Sequence, residues 1–168
     1  MYKRILFPTD GSEAADAALD HAVDHARKYD ATLHVLFVAR DEFGPSGMIH
    51  EEHADIEQSN MVGGHGETQS SGMTNEKPER LDALAEQGEA IVSAVAEEVE
   101  GDVPVETAVL SGNAYERILE YAEDTGADLL VMGTHGRTGV DRYLLGSVTE
   151  KVVRTADIPV LTVRQREL

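Results

Sequence analysis

Residues 128–148 read DLLVMGTHGRTGVDRYLLGSV, a stretch in which an apolar run, a glycine-rich loop and a helical pattern follow one another. The opening DLLVM, Asp128 to Met132, is apolar enough to be covered on both faces, as strands of a parallel sheet flanked by helices are. From Gly146 to Ala156 the residues Val148, Val152, Val153 and Ala156 then fall at helical spacing. Between the two lie Gly133, Gly136 and Gly139, with Gly146 at the start of the helix.

The alternation of strand and helix continues outward. Upstream, Asn113 and Glu116 have the form of a capping box, Ile118, Leu119 and Ala122 supply a buried face, and Gly126 stands at a C-cap position. Val103 to Leu110 alternates like a strand. Before it, Leu81, Leu84, Ala85, Gly88, Ile91, Val92, Val95, Ala96 and Val99 trace one helical face. At the start, RILFP (Arg4 to Pro8) is a strand, Ser12 caps a helix carrying Ala15, Ala18, Leu19, Ala22, Val23 and Ala26, and TLHVLFV (Thr32 to Val38) is a second strand. IPVLTV, Ile158 to Val163, closes the chain. Five strands joined by four helices predict an α/β fold: a doubly wound, Rossmann-like parallel sheet with right-handed crossovers and helices on both faces.

The chain has 168 residues, the size of a single domain spanning 1–168. From about 40 to 78 the period disappears into Gly, Ser, Glu, Asn and Gln, so a flexible insertion is expected there. No apolar run is long enough to span a bilayer and no signal peptide opens the chain, which predicts a soluble, cytoplasmic protein without a membrane partner. With no cysteine, disulfides and thiolate chemistry are excluded. Lys and Arg total 14 against 32 Asp and Glu, a formal charge of -18, which argues against nucleic acid and predicts that any anionic ligand is held locally. The same acidity fits a halophile, in which salt screens self-repulsion, with an ordinary acidic protein as the plainer alternative.

In doubly wound sheets, ligands bind beyond the carboxyl ends of the strands where strand order reverses. With strands one and four adjacent, as in a 3-2-1-4-5 order, Pro8-Thr9-Asp10-Gly11-Ser12 faces the glycine loop across that point. Neither the Walker pattern nor GxGxxG after the first strand is present. What remains is Gly133, Gly136, Gly146 and Ser147, spaced G-x2-G-x9-G-S. Gly133 and Gly136 let a phosphate chain approach the backbone, while Gly146 and Ser147 offer free amides and a hydroxyl at the positive end of a helix.

That spacing resembles the nucleotide-binding signature of the universal stress protein family. KRILFPTDGSE, LSGNAYERILEYAEDTGADLLVMGTHGRTG and IPVLTVR are similar to the family's first strand, third helix with fourth strand, and last strand; the insertion departs from it. The resemblance implies an adenine-nucleotide-binding stress-response or signalling protein of the ATP-binding branch, with ATP, ADP or AMP as ligand and Mg2+ or Mn2+ on the phosphates. Carried over by position, it puts Pro8, Thr9 and Asp10 beside base and ribose, and the backbone of Val38 at the adenine edge. Met132 and Gly133 fall at the ribose and first phosphate, Gly136 and Arg137 at the phosphates, and Gly146, Ser147, Val148 and Thr149 at the phosphate tail. It also implies a homodimer, through antiparallel pairing of the exposed apolar edge Ile158 to Val163 with its twofold mate.

Each residue has a plainer reading beside this one. Asp10 caps the first helix or shapes an Asp-Gly turn, Gly112 is a ligand contact or a turn, and Arg142 pairs with surface carboxylates. His135, with no acidic partner in view, is expected as a solvent-exposed loop histidine. His50 and His53, with His65 farther on, give a weak metal spacing in what reads as an acidic loop. No catalytic residue and no protein metal site is predicted. A slow ATP hydrolase and a nucleotide-independent dimeric scaffold or chaperone-like protein are the alternatives to a binding module.

Overall fold

The computed structural model describes residues 1–40, 76–135 and 145–165, with residues 76–78 described by backbone alone. The elements are β1 (Arg4–Pro8), α1 (Glu13–Tyr29), β2 (Thr32–Ala39), α2 (Glu76–Glu98), β3 (Val105–Ser111), α3 (Ala114–Thr125), β4 (Leu129–Gly133), α4 (Ser147–Thr155) and β5 (Val160–Val163). The strands form one parallel sheet in the order β3-β2-β1-β4-β5, as the alternation of apolar runs and helices implies. No described helix is long and apolar enough to cross a membrane.

Strand alternation divides the core in two. Ile5, Phe7, Leu33, Val35, Phe37, Leu129 and Val131 face α1 and α2, while Leu6, Leu36, Leu130 and Met132 face α3 and α4. Each buried Leu or Phe contributes about 1.5–3 kcal/mol relative to exposure. α1 presents mainly alanines to the sheet, so it gains less per residue but lies closer. Two glycines let the helices approach as they do. A Cβ on Gly133 would stand 2.6 Å from the Ala14 carbonyl oxygen, and one on Gly88 would stand 2.4 Å from the ring of Phe37.

Helix ends follow local chemistry. Ser12 caps α1, its hydroxyl accepting from the Ala15 amide at 3.3 Å, and Gly126 ends α3 in the left-handed region with φ 64°. The expected capping box of α3 does not form. Asn113 makes no side-chain cap bond, and the Glu116 carboxylate instead accepts from the neighbouring Tyr115 hydroxyl at 3.0 Å. α2 begins at Glu76, so the helix starts inside the segment read as insertion. Pro78 lies in its first turn, where the missing amide had no helical partner to lose. The rest of that insertion, 41–75, lies outside the described residues.

Both edge strands begin two residues later than the apolar pattern suggests, and a proline accounts for each. Pro104 and Pro159 cannot donate to a ladder, but their carbonyls accept the amides of Leu33 at 2.8 Å and Leu130 at 3.0 Å. Asp128, read only as the start of a strand, has a separate task. Its carboxylate accepts the backbone amides of Lys3 at 2.8 Å and Arg4 at 3.3 Å, which fixes the start of β1 beside β4.

Gly88→Ala is expected to lower the denaturant midpoint without changing the slope. Forcing a methyl against a buried ring costs about 1–3 kcal/mol, more than the roughly 0.8–1 kcal/mol that alanine gains in helix propensity. Gln87→Ala, one position along on the exposed face, should leave the midpoint nearly unchanged. Acid provides a second test, through His34. This side chain is 3% exposed on β2, with Nδ1 at 3.4 Å from the Tyr121 hydroxyl and 3.6 Å from the Glu106 carboxylate. Burial lowers its pKa below the ordinary value, a shift that Glu106 opposes and Arg4 assists. The unfolded chain therefore takes up the proton first, and stability falls as pH drops through about 6.5. His34→Gln should flatten urea midpoints measured between pH 7.5 and 5.5 in that range; an unchanged slope would remove His34 from the acid response.

Candidate functional site

The carboxyl ends of β1, β2 and β4 open into one cleft of about 270 Å³. Its first wall is the loop after β1. The amide of Thr9 donates to the Leu36 carbonyl at 2.9 Å, and the Thr9 hydroxyl, on a buried residue, accepts the Gly11 amide at 3.1 Å. Asp10 accepts the Ser12 amide at 3.0 Å, and the chain turns through Gly11 at φ 72°, a conformation that suits glycine. Asp10 thus does shape the turn, and the same turn holds it on the cleft wall.

The second wall is the end of β2. Peptide groups of a parallel strand point alternately to its two neighbours. Leu36 directs its carbonyl to the β1 side, where Thr9 takes it, whereas Ala39 directs its carbonyl to the β3 side, where Gly112 takes it at 2.9 Å. Val38, two residues beyond Leu36, therefore turns its N–H and C=O toward β1 at a level where β1 has already ended at Pro8. Gly112 itself is a turn: it sits at φ 133°, packs against Arg117 and does not line the cleft.

The third wall is formed by β4 and α4. Thr134 donates its amide to Val163 at 2.9 Å and accepts the Gly146 amide at 2.7 Å. The Gly146 amide is therefore engaged, contrary to the expectation that it is free. The first helical bond of α4 runs from the Glu150 amide to the Gly146 carbonyl at 2.8 Å, so the amides of Ser147, Val148 and Thr149 precede the ladder at the positive end of the helix. The Thr149 hydroxyl is buried and donates to the Gly133 carbonyl at 2.9 Å, which leaves its amide as the group facing the cleft end of the helix. Gly133 needs its bare Cα for the first turn of α1, as the contact with Ala14 shows, and not simply to admit a ligand.

Pro8, Thr9, Asp10, Val38, Met132, Gly133, Gly146, Ser147, Val148 and Thr149 all line this cleft. Gly136 and Arg137 lie outside the described residues, as do Arg142, His50, His53 and His65. Sequence reasoning missed Leu36, Phe37, Ala39, Arg40, Leu84, Ala114 and Ile118, which also line it. Strand period places Leu36 on the face of Val38, but no local pattern announces that the first turns of α3 and the middle of α2 reach the same space. His135 is not the exposed loop residue expected. It is half-buried on the cleft wall, with Nδ1 at 2.9 Å from the Thr134 hydroxyl. Its Nε2 is sealed from solvent without a hydrogen-bond partner among the described residues.

The walls combine apolar side chains with the leading backbone amides of α4. The apolar side chains gather at β2, α2 and α3, and the amides of α4 stand on the far side of β1. Among the described residues no group of three or more His, Asp or Glu is placed to hold a metal ion.

Known proteins share this fold. The model of the universal stress protein family matches residues 1–164. A universal stress protein of Methanocaldococcus jannaschii, MJ0577, is 34% identical over 99% of this chain and 97% of its own. Its solved structure superposes with a TM-score of 0.76 at 28% identity, covering 100% of this chain and 99% of that one. Two more distant structures share the fold. A universal stress protein in complex with cAMP has a TM-score of 0.62 at 21% identity, covering 97% of both chains. An Arabidopsis thaliana family protein with AMP bound has a TM-score of 0.60 at 13% identity, covering 98% of this chain and 92% of its own. The chain belongs to the universal stress protein family.

Proposed function

We propose that the cleft binds an adenine nucleotide, ATP foremost and ADP or AMP more weakly, and that the protein is a stress-response or signalling module whose ligand sets loop order and partner affinity. The observation that carries this reading is the pairing, in one cleft, of the outward-turned peptide of Val38 with the leading amides of α4. β1 lies between β2 and β4, so the two ends of the cleft are roughly 10 Å apart, a span that a nucleoside 5′-phosphate bridges. The N–H and C=O of Val38 match the acceptor and donor of an adenine edge, and the carboxylate of Asp10 is an acceptor for ribose hydroxyls. At the other end the Ser147 hydroxyl and the amides of Ser147, Val148 and Thr149 hold phosphate oxygens, with Gly136 and Arg137 completing that grip. Mg2+ or Mn2+ would ride on the phosphates, with oxygen ligands supplied mainly by nucleotide and water. AMP and cAMP in two proteins of the same fold support the ligand class.

The reading is one of binding. Backbone amides stabilise charge, but hydrolysis also requires a positioned water and an activating group. Calorimetry should show one nucleotide per chain, with affinity rising from AMP to ATP and no phosphate release on long incubation. Asp10→Asn keeps the turn-forming oxygen and removes the charge. It should weaken ATP about tenfold, the scale of one hydrogen bond to a charged group. Absence of heat and of any thermal shift with all three nucleotides would overturn the reading.

We also propose that β5 pairs antiparallel with the β5 of a second copy. Leu161 packs into the α1-side core, so a charge there would damage the fold itself. The bonds to Pro159 and Val163 show that odd-numbered peptides of β5 face β4, which turns those of Val160 and Thr162 to the open edge. Thr162→Pro removes an outward amide while sparing the β4 ladder, as edge strands tolerate. Light scattering should then report monomers, and a persistent dimer would move the interface elsewhere.

A further inference from the structure

Arg40 stands one residue beyond β2, is exposed, and lines the cleft to which Leu84 and Ala114 also contribute. It is the one Lys or Arg on the wall among the described residues, in a chain with 14 basic and 32 acidic side chains. Among the described residues, Arg27 pairs with Asp102, Arg117 with Glu120 and Arg154 with Glu150. None of the ion pairs among the described residues engages Arg40.

Its position decides what it can touch. The α4 amides lie on the β4 side of β1, whereas Arg40 directly follows Val38 and Ala39 at the end of β2, and Leu84 and Ile118 add apolar surface to the same cleft. A guanidinium is planar, weakly hydrated and well suited to lie flat on a π-system, and its stem covers apolar surface. Resting on the nucleotide reading of this cleft, we infer that Arg40 stacks its guanidinium on the exposed face of the bound purine and closes the apolar end of the cleft against water. Val38 then reads the edge of the base while Arg40 covers its face. The contact is sequence-tolerant with respect to the base, because every purine offers that face, so Arg40 sets affinity and Val38 sets base choice.

Calorimetry on the full chain with ATP, adenosine and inorganic tripolyphosphate separates the possibilities. Arg40→Ala should weaken ATP and adenosine by the same factor, about five- to tenfold, and leave tripolyphosphate unchanged. Arg40→Lys, which keeps the charge and loses the plane, should behave like Arg40→Ala. Melting of the ligand-free variants should match the parent, since the side chain is exposed. Two results would overturn the assignment: unaltered ATP and adenosine binding in Arg40→Ala, or a loss confined to ATP and tripolyphosphate that Arg40→Lys restores, which makes Arg40 a phosphate contact. If the parent chain binds neither ATP nor adenosine, the nucleotide reading falls and this inference with it; if the parent binds both, a failure in the variants counts against Arg40 alone.

Discussion

Everything at the carboxyl edge of the sheet depends on one backbone-to-backbone approach, that of Gly133 to the first turn of α1. Ala14 presents its carbonyl where a side chain at Gly133 would begin, at a separation of 2.6 Å. Because that space is filled by main chain, the helix cannot slide outward to make room for a larger residue without dragging the loop after β1. That loop carries Thr9 and Asp10, and β4 leads directly into Thr134 and His135. A single tight contact thus sets the width between the two loops that face each other across the reversal of strand order. The alanine stripe of α1 serves the same end: it gives up some burial to let the helix axis come close.

How much of this was legible in the sequence depends on the range of the interaction. Strands such as Leu129–Gly133 and the helical face from Leu84 to Val99 are legible, because burial imposes a period on neighbouring residues. The structure has the 3-2-1-4-5 order from which the facing of the two loops is expected, and ten of the residues expected at the site line one cleft. What escaped notice was settled by partners that a local pattern does not reveal. Glu116 has the spacing of a capping box, but the Tyr115 hydroxyl competes for it. The Gly146 amide looks free at the start of a helix until Thr134, twelve residues earlier, takes it. His135 looks like a surface residue until the loop folds it against its own neighbour Thr134. Pro78 reads as a boundary, yet a helix accepts proline in its first turn.

The charge of the chain and the backbone donors of the cleft act on an anion in opposite directions. A formal charge of -18 repels a polyphosphate at long range and is screened only by salt. Donors drawn from the backbone carry no net charge of their own and are held in place by the helix that they begin, so they act where the long-range field is least decisive. Cations are used sparingly: of the described wall residues, Arg40 alone carries a fixed positive charge.

Thr134 joins the outer edge of the sheet to the cleft. Its amide holds Val163 at the end of the edge strand, and its carbonyl holds Gly146 at the threshold of α4. The route from outer edge to cleft therefore runs from the Val163 carbonyl through the backbone of Thr134 to the Gly146 amide, with no side chain in series. A mechanical strain applied along β5 reaches the first turn of α4 through main-chain bonds that no substitution except proline deletes. The link between the edge strand and the cleft is thus made by main chain, and so belongs to the fold more than to the side chains.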